Sequence, residues 1–319
     1  MNLFPSHDQS GVGTLSIYAK ANGYNWLRLR LPSEEAFFDL ANGVTGSSTT
    51  GISASITDVG SGWYRCEVAI SDMSSNPNVF IHIAEGDGDV VINGTPSGTD
   101  GLYIYAAQLN QGLVAQSYIE TTTTAVYEGI TDDVPRVDYS GGGCPSLLLE
   151  SQRTNLIASS EYFDSSVGWE SVGSFTANAT ISPEGLMNAS SLNTDYLEVR
   201  PSVVSGTDYT YSIFVKANTD TTPQIIFTGT SFPNTQANYD LNTGSVTSYT
   251  TQMAGIDDYG NGWYRIYATE TATATDSTSR LRFYCQTSYI YGAMFEAGSY
   301  VSSYIPTYGT STSDRDWET

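Results

Sequence analysis

Trp26, Arg28 and Arg30 alternate with Leu27, Leu29 and Leu31, so an aromatic ring and two guanidinium groups share one face if this segment is extended. Tyr18 and Lys20 alternate in the same way with Ile17 and Ala19 just upstream. Should the two segments lie side by side, a Trp and a Tyr ring would stand among three cations, in a chain that holds only 12 Lys and Arg. Aromatic faces stack on the apolar faces of sugar rings, and Arg forks grip carboxylates or sulfates. The chemistry on offer is recognition of an anionic glycan. The same residue types also pack their stems over a solvated sheet, or dock against an acidic subunit. Gln224, Ile226 and Thr228 stand near the matching place in the second half of the chain, so a duplicated site is not expected.

Other candidates point to structure more than to chemistry. Around 63–70, Tyr64, Cys66, Val68 and Ile70 form an apolar set, with Trp63, Arg65 and Glu67 opposite. Trp263 and Arg265 are placed alike, and presence in both halves marks these residues as scaffold: a Trp sealing the end of a sandwich with an Arg stacked on it. Acidic turns can supply calcium with oxygen ligands, and of Glu85, Asp87, Asp89, Asp132, Asp133, Asp257 and Asp258 the expected pair is Asp87 and Asp89. None of these matches EF-hand spacing, and acidic turns are ordinary in an acidic chain. Catalysis is poorly served. The two histidines are His7 and His82, and no nucleophile elbow, HExxH or phosphate-cradling Gly-Lys motif occurs. Nothing singles out a carboxylate pair for glycoside cleavage. The expectation is a protein that binds and does not catalyse, with no cofactor beyond a structural calcium ion.

The elements that must position these residues come in two copies. SIYAKAN at 16–22 returns as SIFVKAN at 212–218, and AFFDLANG at 36–43 as ANYDLNTG at 237–244. DVGSGWYR at 58–65 returns as DYGNGWYR at 258–265, YIYAAQLNQG at 103–112 as YIYGAMFEAG at 289–298, and SYIET at 117–121 as SYIPT at 303–307. Period-two alternation makes each block a strand with one dry face. Gly60-Ser61-Gly62 and Gly260-Asn261-Gly262 provide the positive φ of tight turns. The predicted fold is all-β: two tandem antiparallel β-sandwiches, jelly-roll-like, the first lacking its N-terminal strands. The expected divisions are 1–121 (first copy), 122–154 (connector), 155–309 (second copy) and 310–319 (acidic tail). The second copy has nearly sixty residues before its SIFVKAN strand and the first only fifteen, which amounts to about three missing strands. Such a sandwich would expose edges and one side of its core. A partner or oligomer lending strands is the favoured remedy, beside a truncated product or pairing with the connector.

A net charge of −22, from 34 acidic against 12 basic residues, repels nucleic acid and anionic lipid. The start, MNLFPSHDQSG, has neither the basic nor the apolar region of a signal peptide, and no run of eighteen apolar residues occurs, so synthesis in a host cytoplasm without membrane insertion is expected. Cys66, Cys144 and Cys285 form no CxxC pair and read as reduced thiols.

The stretch from Pro135 to Phe163, PRVDYSGGGCPSLLLESQRTNLIASSEYF, resembles a linker motif of bacteriophage tail-fibre and other virion structural proteins, PRxDY…CPSLLLExQRTNLxxxSExF. Ser151 departs from it where proline is common. In those proteins the linker leads into a jelly-roll sandwich similar to carbohydrate-binding modules of the CBM4/9 type. GWE at 168–170, ANATISPEG at 177–185 and the closing GAMFEAGSYVSSYIPT resemble the same family. The resemblance implies location in a virion, other virion proteins as partners, and a homo-oligomer, expected to be a trimer. It does not transfer a sugar site. The expected function is a fibre or tail-associated protein presenting a sandwich surface to a host glycan or receptor. The alternative is a decoration or connector protein that docks neighbouring subunits without binding glycan.

Overall fold

The computed structural model of the protein describes residues 11–30, 34–49, 53–71, 73, 79–90, 98–121, 136–138, 146–148, 150–277, 279–309 and 313–315. His7, Leu31, Asp132, Asp133 and Cys144, together with Pro135, Leu149 and 139–145 of the linker motif, lie outside the described residues. The chain divides into two compact units, residues 1–126 and 127–319.

The first unit holds β1 (Gly13–Asn22), β2 (Trp26–Arg30), β3 (Glu35–Asp39), β4 (Val44–Ser48), β5 (Ala54–Gly60), β6 (Trp63–Ile70), β7 (Phe80–Ala84) and β8 (Gly101–Gln111). They make two four-stranded sheets, in the orders β5-β6-β1-β8 and β4-β3-β2-β7, antiparallel throughout. Leu15, Ile17 and Ala19 from one sheet and Leu27, Leu29 and Phe38 from the other bury into one cluster with Cys66 and Val68. Alternation along each strand thus sends one set of side chains into the sandwich and the other set outward.

Three short strands follow: β9 (Arg136–Asp138), paired with β10 (Ser146–Leu148), and β11 (Arg153–Asn155). The second unit then runs through β12 (Glu170–Thr180), β13 (Ala189–Val199), β14 (Asp208–Ala217), β15 (Gln224–Thr228), β16 (Thr235–Asp240), β17 (Ser245–Tyr249), β18 (Met253–Gly260), β19 (Trp263–Thr271), β20 (Arg280–Tyr284), β21 (Thr287–Ala297) and β22 (Ser313–Arg315). Its main sheet path is β17-β16-β15-β20-β13-β21-β14-β19-β18, with β12 on β13, while β22 pairs β11. A 3-10 turn at Ser165–Val167 is capped by Asp164. No helix among the described residues is long and apolar enough to cross a membrane.

The units repeat each other down to their irregularities. The registers of β1 on β8 and of β14 on β21 both slip at a bulge, between Ser16 and Tyr18 and between Ser212 and Phe214, opposite the positive φ of Ala106 (53°) and Gly292 (58°). The β5–β6 and β18–β19 hairpins both turn through residues of positive φ, and the amides of Gly60 and Gly260 each donate to the preceding Asp58 or Asp258 at 2.7 Å. What differs is β12 and β13. In the second unit β13 pairs β21 over Ser190–Asn193 and then β20 over Tyr196–Val199, joining the two halves of the sandwich along one side. Among the described residues of the first unit nothing takes that place, and β7 and β8 each end their sheet.

Candidate functional site

The five side chains expected to cluster are divided between two faces. Tyr18 and Lys20 belong to β1, and Trp26, Arg28 and Arg30 to β2; these strands lie in opposite sheets, with Ile17 and Ala19 facing Leu27 and Leu29 across a common core. The two polar sets therefore point away from each other, and no single site contains them. Period-two patterning tells which side of a strand is dry but not which sheet the strand joins.

On the face of the β4-β3-β2-β7 sheet, cross-strand register builds the surroundings of β2. Arg28 stands directly between Phe37 and His82, and Arg30 between Glu35 and Phe80. Direct cross-strand neighbours are about 4.5–5.5 Å apart, close enough for rings and guanidinium groups to touch. Arg28 is buried; its Nε donates to Glu35 Oε2 at 2.9 Å, Nη2 bonds the same oxygen, Nη1 lies 3.4 Å from His82 Nδ1, and its guanidinium sits 5.6 Å from the Phe37 ring centroid. That fork is occupied from within. Arg30 lies 5.4 Å over Phe80 and has no carboxylate partner among the described residues. Desolvation, then the neighbouring Arg28 and Arg30 charges, push the His82 pKa below the ordinary value, so the ring is neutral at pH 7. Trp26 is half-buried, and its ring lies so close to Gly46 that a Cβ there would stand 2.7 Å from Cζ3. Arg30, Phe80 and His82 thus lie together along the β2–β7 side of this face, the two rings 5.6 Å apart, while Trp26 leans the other way, towards Gly46 on β4.

The other face, that of β5-β6-β1-β8, carries a tyrosine layer. Tyr18 and Tyr105 have ring centroids 6.2 Å apart, and Tyr105 and Tyr118 are 5.9 Å apart. Lys20 Nζ donates to the Ser61 carbonyl at 2.7 Å, which uses its charge to hold the β5–β6 turn. Arg65 donates to the Gln116 carbonyl, meets Glu67 at 3.4 Å, and lies 5.6 Å over the Tyr18 ring. Arg265 repeats this with Ser302 O at 2.7 Å, Ser212 Oγ at 3.0 Å and the Phe214 ring at 5.3 Å. Both arginines clamp the segment after the last sheet strand. Neither stacks on its Trp as expected, because Tyr18 and Phe214 sit directly opposite them in register. Trp63 and Trp263 are two residues away along the strand, about 7 Å. Trp263 is buried and donates through Nε1 to the Ile181 carbonyl at 3.0 Å, whereas Trp63 is half-buried.

The same layer has different surroundings in the two units. Tyr291 is 1% exposed and its counterpart Tyr105 63%; Ile290, which faces the sandwich core and not this layer, is buried, while its counterpart Ile104 is 42% exposed. The second unit's cover is the segment before β12. The Asn155 amide donates to Ala293 O at 3.2 Å and Ile305 O at 2.8 Å, and its oxygen accepts from the amides of Ile157 and Phe295. Ser160 and Glu161 follow: Ser160 Oγ lies 2.6 Å from the Tyr304 hydroxyl, and Glu161 accepts from Tyr291 at 3.0 Å and Tyr304 at 3.3 Å. Burial, with the charge of Glu184, pushes the Glu161 carboxyl up to about 8. Sequence reasoning missed this layer, although the near-unbroken apolar run from Tyr289 to Phe295 is the signal of a strand buried on both faces.

At the acidic turn, Asp87 accepts from the amide and hydroxyl of Ser47 at 2.7 and 2.8 Å, and the Asp89 amide donates to Gly86 O at 3.4 Å. No group of three or more His, Cys, Asp or Glu side chains that could hold a metal occurs among the described residues. Cys66 and Cys285 are buried and unpaired.

No protein-family model and no curated protein matches the chain. Among solved structures it is similar to the CBM22-1–GH10 modules of Clostridium thermocellum endo-1,4-β-D-xylanase 10B, crystallised with xylohexaose. That similarity has 16% identity and a TM-score of 0.30, and covers 50% of this chain and 30% of that one.

Proposed function

We propose that the chain is a fibre or tail-associated component of a bacteriophage particle, and that the Trp26–Arg30–Phe80–His82 face of its first sandwich binds host-surface glycans without catalysis. The attribution to a virion rests on the linker motif between Pro135 and Phe163. The binding role rests on one observation: a half-buried Trp ring and a Phe-stacked Arg with no described carboxylate partner share one sheet face. Trp26 offers a platform to the apolar face of one sugar, and Arg30, about 13 Å along the same strand, offers a fork to the carboxylate or sulfate of another sugar of the same glycan. Arg28 serves as the post that orders the face, since Glu35 and His82 already hold it.

Glycan-array binding tests this reading. Acidic glycans are expected to be retained over neutral ones, with at least about tenfold weaker binding in Trp26→Ala and in Arg30→Ala, the factor that ~1.4 kcal/mol gives. Undiminished binding in both variants would remove the site. Absence of any glycan binding favours the connector reading, which the edges of β7 and β8, without a strand partner among the described residues, also support.

A further inference from the structure

We infer that the edges of β7 and β8, which have no strand partner among the described residues, receive with the tyrosine layer beside them a polypeptide segment that does for the first unit what residues 155–199 do for the second. The second unit supplies the template. There, the outer edge of β21 is paired by β13 over Thr287–Ile290 and, beyond the Gly292 bulge, by the segment at 156–160, where Leu156 N donates to Phe295 O at 2.7 Å and Ala293 N to Ser160 O at 2.9 Å. The edge of β20 is paired by the far end of β13. The first unit has the same strands, the same bulge and the same loop after the last strand, and its corresponding edges have no described partner.

Three features specify what fits. Two sheet edges that lie on the same side of a sandwich need a strand crossing from one to the other; a row of backbone donors and acceptors is met by a polypeptide and not by a sugar. The carbonyls of Ala107 and Ile119 and the amide of Leu109, counterparts of Ala293, Ile305 and Phe295, call for an Asn placed like Asn155. The hydroxyls of Tyr105 and Tyr118, counterparts of Tyr291 and Tyr304, call for an acidic residue placed like Glu161. The segment that fits is therefore one bearing an Asn-Leu-x-x-x-Ser-Glu pattern ahead of two antiparallel strands. A second copy of this chain is a poor donor, because its own Asn155, Ser160 and Glu161 are buried within its second unit.

The test is hydrogen exchange read by mass spectrometry on the full chain, with a synthetic polypeptide of residues 150–200 as the probe. In the chain alone, the outward amides of Phe80–Ala84 and Gly101–Gln111 are expected to exchange much faster than those of Arg280–Tyr284 and Thr287–Ala297. With the probe they are expected to slow by about tenfold or more, while the second unit is unchanged. Fusing the same segment ahead of residue 11 should give the same protection. Tyr105→Glu, at an exposed position, should abolish probe binding and leave the melting of both units as it was. Protection already complete in the dilute chain would overturn the inference, since the edges would then be filled from within. Protection that rises with chain concentration alone would overturn it in favour of a second copy. Failure of both probe and fusion to protect β7 and β8, or unaltered binding by Tyr105→Glu, would overturn it outright.

Discussion

Replacing Glu161 by Gln should make the second unit less sensitive to alkali, by an amount the structure allows to be worked out. Glu161 is buried, accepts from Tyr291 and Tyr304, and has its carboxyl pushed up to about 8 by burial and by the charge of Glu184, against 4.5 in the unfolded chain. A carboxyl whose folded value is raised holds its proton more tightly when folded. Its contribution to stability is complete below the unfolded value and declines as pH rises towards the folded value. Each unit in that window is worth about 1.4 kcal/mol, so going from pH 5 to pH 8 this one group withdraws roughly 3 kcal/mol.

Gln keeps the shape and an oxygen that accepts from both tyrosines, and it has no proton to lose. For a domain of this size roughly 3 kcal/mol corresponds to about 6–12 °C in melting temperature. The assay is a thermal melt of the full chain and of Glu161→Gln at pH 5 and pH 8, with the second unit's transition compared between the proteins. Other perturbed acids, among them Glu198, held low by Arg282 and Arg200 against its burial, and Glu296, raised by burial, titrate alike in both and cancel in the difference. The variant is expected to gain on the native chain by those degrees between pH 5 and pH 8. An equal offset at both pH values would show that Glu161 does not carry a raised pKa, and the account of the covered tyrosine layer would lose its electrostatic basis.

Arg265→Ala should lower the melting temperature of the second unit by roughly 5–10 °C, because it strips the bond to the Ser302 carbonyl and the packing on Phe214 from a buried site, a loss of about 2–3 kcal/mol. A calorimetric drop below about 2 °C would contradict the clamp assigned to it. The thiols of Cys66 and Cys285 should resist iodoacetamide in the native chain and react on unfolding, since burial pushes Cys285 up to about 12 and Cys66 higher still. Peptide mapping after a native-state pulse reads this, and early labelling at either position would be evidence of local opening.

The sandwich architecture was legible because side-chain alternation and repeated turn chemistry are local properties. Leu15, Ile17 and Ala19, and likewise Cys66, Val68 and Ile70, are in the core where period two puts them. Among its described residues the first unit has no counterpart of β12 and β13, the place where the two copies of the block differ in the sequence before it. What could not be read was which sheet a strand joins. Tyr18 and Trp26 are eight residues apart in sequence and lie on opposite outer faces, because the chain crosses between sheets after Asn22. The internal bond of Arg28 to Glu35 was hidden for a related reason: it depends on the register of β2 on β3, which no single strand encodes.

The duplication makes the chain its own control for what cover does to a surface. Where the second unit buries Phe214 and Met294, the first has Tyr18 and Gln108, and the new polar groups are used locally: Gln108 accepts from Ile119 N at 2.8 Å and donates to Ser117 O at 3.2 Å. That part of the face is adapted to stand without an overlying segment. The edge is not. Tyr103, Ile104 and Tyr105 are the same residue types as Tyr289, Ile290 and Tyr291 of β21, the last two of which are buried, whereas Ile104 is exposed with no polar substitution to offset it. Of the devices that usually blunt a strand edge, β8 has the bulge at Ala106 but no Lys, Pro or inward charge. A surface polar where it packs on its own loop and apolar where its backbone has no partner among the described residues has the composition of an interface core with a wet rim. The proposed contact at β8 and the proposed glycan face at Trp26 belong to opposite sheets of the sandwich, so the two proposals do not compete for one surface.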